Sequence, residues 1–584
     1  MLVWLLVAAL AGFAQADHDV LHDFEGYQNG KYGVVPKQTY HSSDITSPIL
    51  NYGEWQKKLI LSDYSNHLFL TLDHAGAGPY VFRDDDLSLV YADPSFDYAM
   101  SARVQVVQGK QYLTLWHGAL NRGDSQGFCV LFDEHYQVAF NVTLGPPLTV
   151  DADMHECEVT RDDTVLLTAY QDKKFDLSSV GGKVEDVLAD SCFQEIDIAE
   201  GKVLFTWCAS DHFRPDATFW NYTSTFDAKR STSNDDGTGP YATSSGFDAY
   251  HINSLQKTAE GNYLVSLRNL KALVYIDGKT GTPIWNLNGK LNDFKDVTSP
   301  EVLAANEGSE GALGFGWQHD ARFWDNAISK ITFFDNHDLT TQLDCTGSSC
   351  SRGREIRINT SDPENLTVEL TREYRSPHGL QSVIFGSMHP LPYPHGPTAS
   401  ALRQFLVSFG VNAEFAEYTS DGQLIRDVQY SPLYPGHSVG GVGVQSSRVY
   451  KQSWTGDPIW PPSIAAHSNG TLWVSWNGAT EVREWVIYGA DTKASFSEPE
   501  GRPRSGHRQT SGMMYPLKPL FAVAREGFET KVELGPQRPP YVKVAALDVE
   551  GEVIGYTKTV WLGGDVSLRY QDTLSYVALS GLLV

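Results

Sequence analysis

Along the chain, short runs of alternating or continuous apolar residues recur, and helical periodicity is scarce. Six runs stand out: Tyr112–Trp116, Val165–Tyr170, Tyr263–Leu267, Ile331–Phe334, Phe405–Phe409 and Leu472–Trp476. Each has strand length and strand-forming residues. Several follow a turn signal, as at Asp162-Asp163, Glu260-Gly261 and Asn469-Gly470, and several lead to a second strand closed by Asp277-Gly278 or Asp421-Gly422. A unit of turn, strand, strand, turn and aromatic, repeating every 40 to 50 residues or so, predicts an all-β chain built as a β-propeller.

The pattern also sets expected boundaries. The ring is read over residues 75–485, with residues 17–74 packed against it as an N-terminal β segment. A Ser-, Pro-, Gly- and Arg-rich stretch within 486–515 reads as a linker. Residues 516–575 hold FETKVEL, YVKVAALDVEG and EVIGYTKTVW, which predict a small Ig-like β-sandwich. An apolar tail, 576–584, is too short to span a bilayer.

Residues 1–16 carry an apolar run from Leu2 to Phe13 and then Ala14-Gln15-Ala16, the form of a cleaved secretory leader. A secreted, extracellular protein is therefore expected. Six cysteines allow fifteen pairings. Cys192 and Cys208 bracket a hairpin, Cys345 and Cys350 can close a small loop, and Cys129 and Cys157 are left to each other by elimination. Asn-x-Ser/Thr sites at Asn141, Asn221, Asn359, Asn365 and Asn469 are candidate glycosylation points. A net charge of −26 argues against a nucleic-acid partner, which needs a basic face. The sequence gives no reading of oligomeric state.

Candidate chemistry concentrates between Gly246 and Arg322. His251 and His319 lie close after aromatic residues in polar settings, and Arg268 ends the strand Tyr263–Leu267. That collection predicts an anion-binding site. Trp317, Asp320 and Arg322 are expected at the substrate, Asp320 and Arg322 by holding the His319 loop and Trp317 by lining an aromatic pocket.

The series MHECEVT, CFQEIDIAEGKVLFTW, DAYHINS, GNYLVSLR, IDGKTGTPIW, WQHDARF and ITFFDN resembles the fungal branch of the arylsulfotransferase family, related to the bacterial PAPS-independent aryl sulfotransferases. FGVNAEFAEYTSDGQ and YKQSWTGDP continue the likeness. The resemblance implies a six-bladed propeller with its site at the central funnel. It also implies transfer of a sulfuryl group between phenols through a sulfohistidine, with an aryl sulfate as substrate and no cofactor or metal. Carried over by motif, the nucleophile falls on His319 of WQHDAR, the His-x-Asn pair on His251 and Asn253, the arginine on Arg268 and a further histidine on His155 of MHE. Asn269 departs from the family, where a histidine often follows that arginine.

Two other readings use the same residues. Three histidines and Asp320 could hold a metal for a hydrolase, although no His-Glu-x-x-His pair is present. A non-catalytic propeller could instead bind partners through its rims.

Overall fold

The strand-rich pattern builds an all-β molecule. The computed structural model describes residues 20–570, apart from 61–65, 73–77, 97, 120–124, 223–245, 307, 326, 339–344, 346–349, 392–402, 434–443 and 497–518. The expected leader, the apolar tail and most of the expected linker lie outside the described residues. Among those described, two short α-helices, Phe24–Gln28 and Pro300–Ala305, accompany the strands. No helix among them is long and apolar enough to cross a membrane.

Six sheets, antiparallel except where Lys295–Asp296 lies parallel to Thr367–Arg375, begin with the strands Ala99–Val107, Asp153–Val159, Ile252–Lys257, His319–Phe323, Ser387–Leu391 and Val449–Gln452. These first strands touch in that order, and Val449–Gln452 also touches Ala99–Val107, so the contacts close on themselves. Each sheet then steps outward. In the third, Ile252–Lys257 pairs with Tyr263–Leu267, which pairs with Ala272–Ile276 and then Pro283–Leu287.

Burial explains why the second strands read as nearly continuous apolar runs. All five residues of Tyr263–Leu267 are buried, because a neighbouring sheet covers each face. Val265 joins Leu166 and Phe193 on one side, while Leu264 joins Ile331 and Phe333 on the other. Each such side chain contributes roughly 1.5–3 kcal/mol on leaving water. The turns follow their sequence signals: Gly261 and Gly422 take φ of 85° and 92°, which an L side chain adopts only with strain.

Two boundaries differ from those expected. Residues 17–74 do not merely lean on the sheets. Asn51–Trp55 adds a fifth strand beside Leu424–Gln429, and His67–Thr71 sits between Val449–Gln452 and Pro79–Arg83. The run Leu472–Trp476 belongs to none of the six sheets. Its strand, Thr471–Ser475, pairs with Ser463–Ala466 and Glu529–Glu533. Glu484–Ala490, at the expected linker, pairs with Pro519–Ala524 and Tyr541–Leu547. These strands form two further sheets with a shared core of Ile464, Val474, Ile487, Val532 and Val544. Alternation marks a strand but not its partner, so sequence order assigned these runs to the wrong neighbours.

The disulfides are Cys129–Cys157, Cys192–Cys208 and Cys345–Cys350. Cys192 and Cys208 are directly opposed across a hairpin. Asn221, Asn359, Asn365 and Asn469 are exposed, whereas Asn141 is half-buried within a strand.

Candidate active site

Four of the six first strands share an irregularity. Their register shifts between Met100 and Arg103, Asp153 and Cys157, Ile252 and Ser254, and His319 and Arg322. Such bulges re-aim side chains. Here they gather Ser101, His155, Asn253, His319 and Asp320 around one small cleft, with Phe385 and Arg448 completing its wall. Ser101, His251, Asp320 and Phe385 all have φ between 54° and 61°. Left-handed backbone at four non-glycine positions around one centre is the kind of strain that surrounding structure must hold in place.

Three imidazoles meet at this centre, each held through Nδ1. His155 Nδ1 lies 2.5 Å from Asp153 Oδ1, and His251 Nδ1 lies 2.5 Å from Asp248 Oδ2. His319 Nδ1 instead faces the Asn336 amide oxygen at 2.6 Å. An amide oxygen only accepts, so Nδ1 of His319 carries the proton and Nε2 keeps its lone pair. The Phe385 N–H donates weakly to that Nε2 at 3.3 Å. The rings of His155 and His251 are 5.1 Å apart and nearly perpendicular, and Tyr170 stands 5.5 Å from His251.

Electrostatics separates His319 from His251. Burial and the neighbouring Arg268 charge push His319 well below the usual histidine range. Burial also lowers His251, although Asp248 works against it. Burial alone would raise Asp153, yet the adjoining His155 brings it down to about 2. A carboxylate behind an imidazole stabilises its protonated form, and the neutral amide of Asn336 does not.

Arg268 is buried, and burial lowers it to about 10, so it remains protonated at neutral pH. Its Nη1 donates to Asn269 Oδ1 at 3.0 Å and its Nη2 to the Val383 carbonyl at 3.2 Å. Its Nε makes no hydrogen bond. Among the described residues, no carboxylate forms an ion pair with Arg268, and Asp248 is committed to His251. The guanidinium carbon lies 5.2 Å from the Trp317 ring centroid and 5.8 Å from that of Trp220. Trp317 thus seats Arg268, and Trp220 was not foreseen.

Asn253 donates from Nδ2 to the Gln318 carbonyl at 2.7 Å, fixing the peptide beside His319. Asp320 and Arg322 are buried in an ion network. Arg322 pairs with Glu156 at 2.5 Å and with Asp320 at 3.0 Å, while Arg448 reaches Glu156 at 2.9 Å and Asp320 at 3.1 Å. Burial would raise Glu156, but Arg322, Arg448 and Arg103 hold it at about 2. His389, unassigned from sequence, contacts Asp320 at 3.3 Å, and burial lowers it to about 4. This network ties Asp320 and Arg322 to Glu156 and Arg448 beside the histidines.

Sequence reasoning missed Asp153, Asp248, Asn336, Tyr170, Glu156 and Arg448. The two aspartates lie two and three residues before their histidines and were open to a local reading. Asn336 follows Lys330–Asp335, the strand paired with His319–Phe323, and Arg448 precedes the first strand of the sixth sheet.

Among the described residues, two groups bring at least three potential metal donors within 4.8 Å of one another, Asp190–Cys192–Cys208 and His378–Glu414–Asp427. Neither includes the three central histidines. The sulfurs of the first are joined as a disulfide.

No curated protein matches the chain. Solved structures resemble it distantly. A protein of unknown function from Bacteroides caccae shares 11% identity over 66% of this chain and 99% of its own, with a TM-score of 0.35. A putative 6-phosphogluconolactonase from Bacteroides fragilis shares 11% over 80% of this chain and all of its own, with a TM-score of 0.28. The Dos1 propeller shares 8% over 89% and 98%, with a TM-score of 0.24. These scores are too low to carry an argument. The family model described as arylsulfotransferase (ASST) matches residues 103–431. That span is more than half of the chain and takes in His155, His251, Asn253, Arg268 and His319, so the chain belongs to the arylsulfotransferase (ASST) family.

Proposed function

We propose that the protein is a secreted arylsulfotransferase of the PAPS-independent kind, which moves a sulfuryl group from an aryl sulfate to a phenol through a sulfohistidine at His319. The six sheets are its propeller blades, spanning residues 51–452, and the two sheets between 463 and 568 are its C-terminal sandwich. The leader-like N-terminus and three disulfides favour an extracellular setting.

The observation that carries this reading is a buried Arg268 without a paired carboxylate, close enough to a neutral, amide-backed His319 to depress its protonation. A buried cation with spare donors suits an incoming anion. A neutral imidazole suits nucleophilic attack.

In the first half-reaction, Nε2 of His319 bonds to sulfur as the sulfur–aryl oxygen bond breaks, and the Phe385 N–H gives up its weak contact. The electron pair leaves on the phenolate, which takes a proton from His251 or His155. Both are held through Nδ1 by carboxylates, which leaves Nε2 as the nitrogen that exchanges the proton. In the second, that histidine accepts the proton of the acceptor phenol, whose oxygen attacks sulfur and restores His319. Arg268 and the remaining Nδ2 hydrogen of Asn253 offset charge on the sulfuryl oxygens. Together these steps account for all five motif residues.

The test is intact-protein mass spectrometry after brief mixing with p-nitrophenyl sulfate under mildly alkaline conditions. Wild type is expected to gain about 80 Da, the mass of one sulfuryl group, and His319→Ala to gain nothing. An adduct persisting in His319→Ala would remove His319 as nucleophile. Absence of both adduct and nitrophenol release across several aryl sulfates would remove the activity.

A further inference from the structure

Away from the central histidines, His378, Glu414 and Asp427 meet where the N-terminal segment is laid against the sheet that begins at Ser387–Leu391. His378 lies before that sheet, Glu414 and Asp427 lie on its third and fourth strands, and Asn51–Trp55 is the fifth. Nε2 of His378 is 3.1 Å from Asp427 Oδ2 and 3.5 Å from Glu414 Oε2. All three atoms lie within 4.8 Å of one another. Around Zn2+, with ligand bonds of 2.0 to 2.1 Å, a tetrahedron has an edge of about 3.3 Å. The two separations straddle that edge.

The far oxygens of both carboxylates are already held. Ser376 Oγ donates to Glu414 Oε1 at 2.6 Å, and the Glu54 N–H donates to Asp427 Oδ1 at 2.7 Å. These outer partners orient the other two oxygens toward His378, as supporting hydrogen bonds do around metal ligands. Glu414 is wholly buried, and its Oε2 accepts no hydrogen bond. A protonated His378 would serve Asp427 at 3.1 Å and still leave Glu414 Oε2 poorly served. A cation between the three atoms satisfies both oxygens together. Gly53 keeps the place open, since a Cβ there would come within 2.4 Å of Asp427 Oδ2.

We propose that His378, Glu414 and Asp427 form a binding site for one divalent transition cation, with Zn2+ the first choice, that fastens the N-terminal segment to this sheet. One imidazole nitrogen and two carboxylate oxygens suit Zn2+, and water completes a fourth position. The His378 side chain is 21% exposed and gives the ion a route in. Phe24 stacks on His378 with ring centroids 4.4 Å apart, so the helix Phe24–Gln28 and the strand Asn51–Trp55 both rest on the ligand set. The site is independent of the sulfuryl-transfer reading.

The experiment uses the full chain, stripped with EDTA, dialysed against Zn2+ and analysed for bound metal and thermal unfolding. Wild type is expected to retain about one Zn2+ per chain and to melt at a higher temperature with it than without. His378→Ala, which alters a partly exposed side chain, and Asp427→Asn should lose both effects, while His319→Ala keeps them. Co2+ in place of Zn2+ should give d–d absorption that disappears in His378→Ala, a readout that does not depend on stability. A wild type that retains no Zn2+ and melts unchanged would overturn the site. Full retention in His378→Ala, or loss in His319→Ala, would do the same.

Discussion

At the scale of single residues, what sits behind each imidazole decides its work. Asp153 and Asp248 hold His155 and His251 through Nδ1, and Asp248 favours protonation of His251, whereas Asn336 orients His319 without adding charge. Asn336→Asp preserves the Nδ1 acceptor and introduces a carboxylate, which raises the pKa of a neighbouring histidine by one to three units or so. The acid limb of kcat/KM for aryl sulfate should therefore move to higher pH, because His319 must lose its proton before it can attack. An unmoved limb would show that Asn336 does not face His319 in solution. Some of this site was legible: His155, His251, Asn253, Arg268 and His319 stand in recognisable words. Their supports were less so, since Asn336 and the Val383–Phe385 segment touch His319 and Arg268 only through tertiary structure.

Strands are easier to find in the sequence than their partners. Five of the six apolar runs lie second in their sheets, buried on both faces. The sixth, Leu472–Trp476, has the same pattern because a sheet pair buries it just as well. Periodicity reports burial, and burial does not name the neighbour. A chain ended at residue 515, where a separate sandwich was expected to start, loses Pro519–Ala524, Glu529–Glu533 and Tyr541–Leu547. Thr471–Ser475 and Glu484–Ala490 would then present open edges, which invite aggregation. The truncated protein should be recovered largely as aggregate on size-exclusion chromatography. A soluble fragment melting like the full chain would restore the boundary read from sequence.

For the molecule as a whole, buried titratable groups set its response to acid. His67, His251, His319 and His389 are all lowered by burial, His67 to about 3 and His389 to about 4. In the unfolded chain each takes a proton near pH 6.5 or so. Below that pH the unfolded state binds more protons than the folded one, so stability falls as pH falls. Asp153 and Glu156, both held at about 2, add the same sign once pH drops below the ordinary carboxylate range. His378 and Glu414, the latter raised to about 7 by burial, oppose them. The melting temperature should decline from about pH 7 to about pH 4. A flat profile would mean that these histidines are not buried as described.

The pairing of Val449 with Leu70 carries a consequence for biosynthesis. The strand His67–Thr71 leaves the ribosome early, while its neighbour Val449–Gln452 is made only after all the other sheets of the ring. Contacts so distant in sequence form slowly, because a long loop must close before they can form. Until then the early strand offers an unpaired edge to whatever lies nearby. The ring can therefore close only near the end of synthesis.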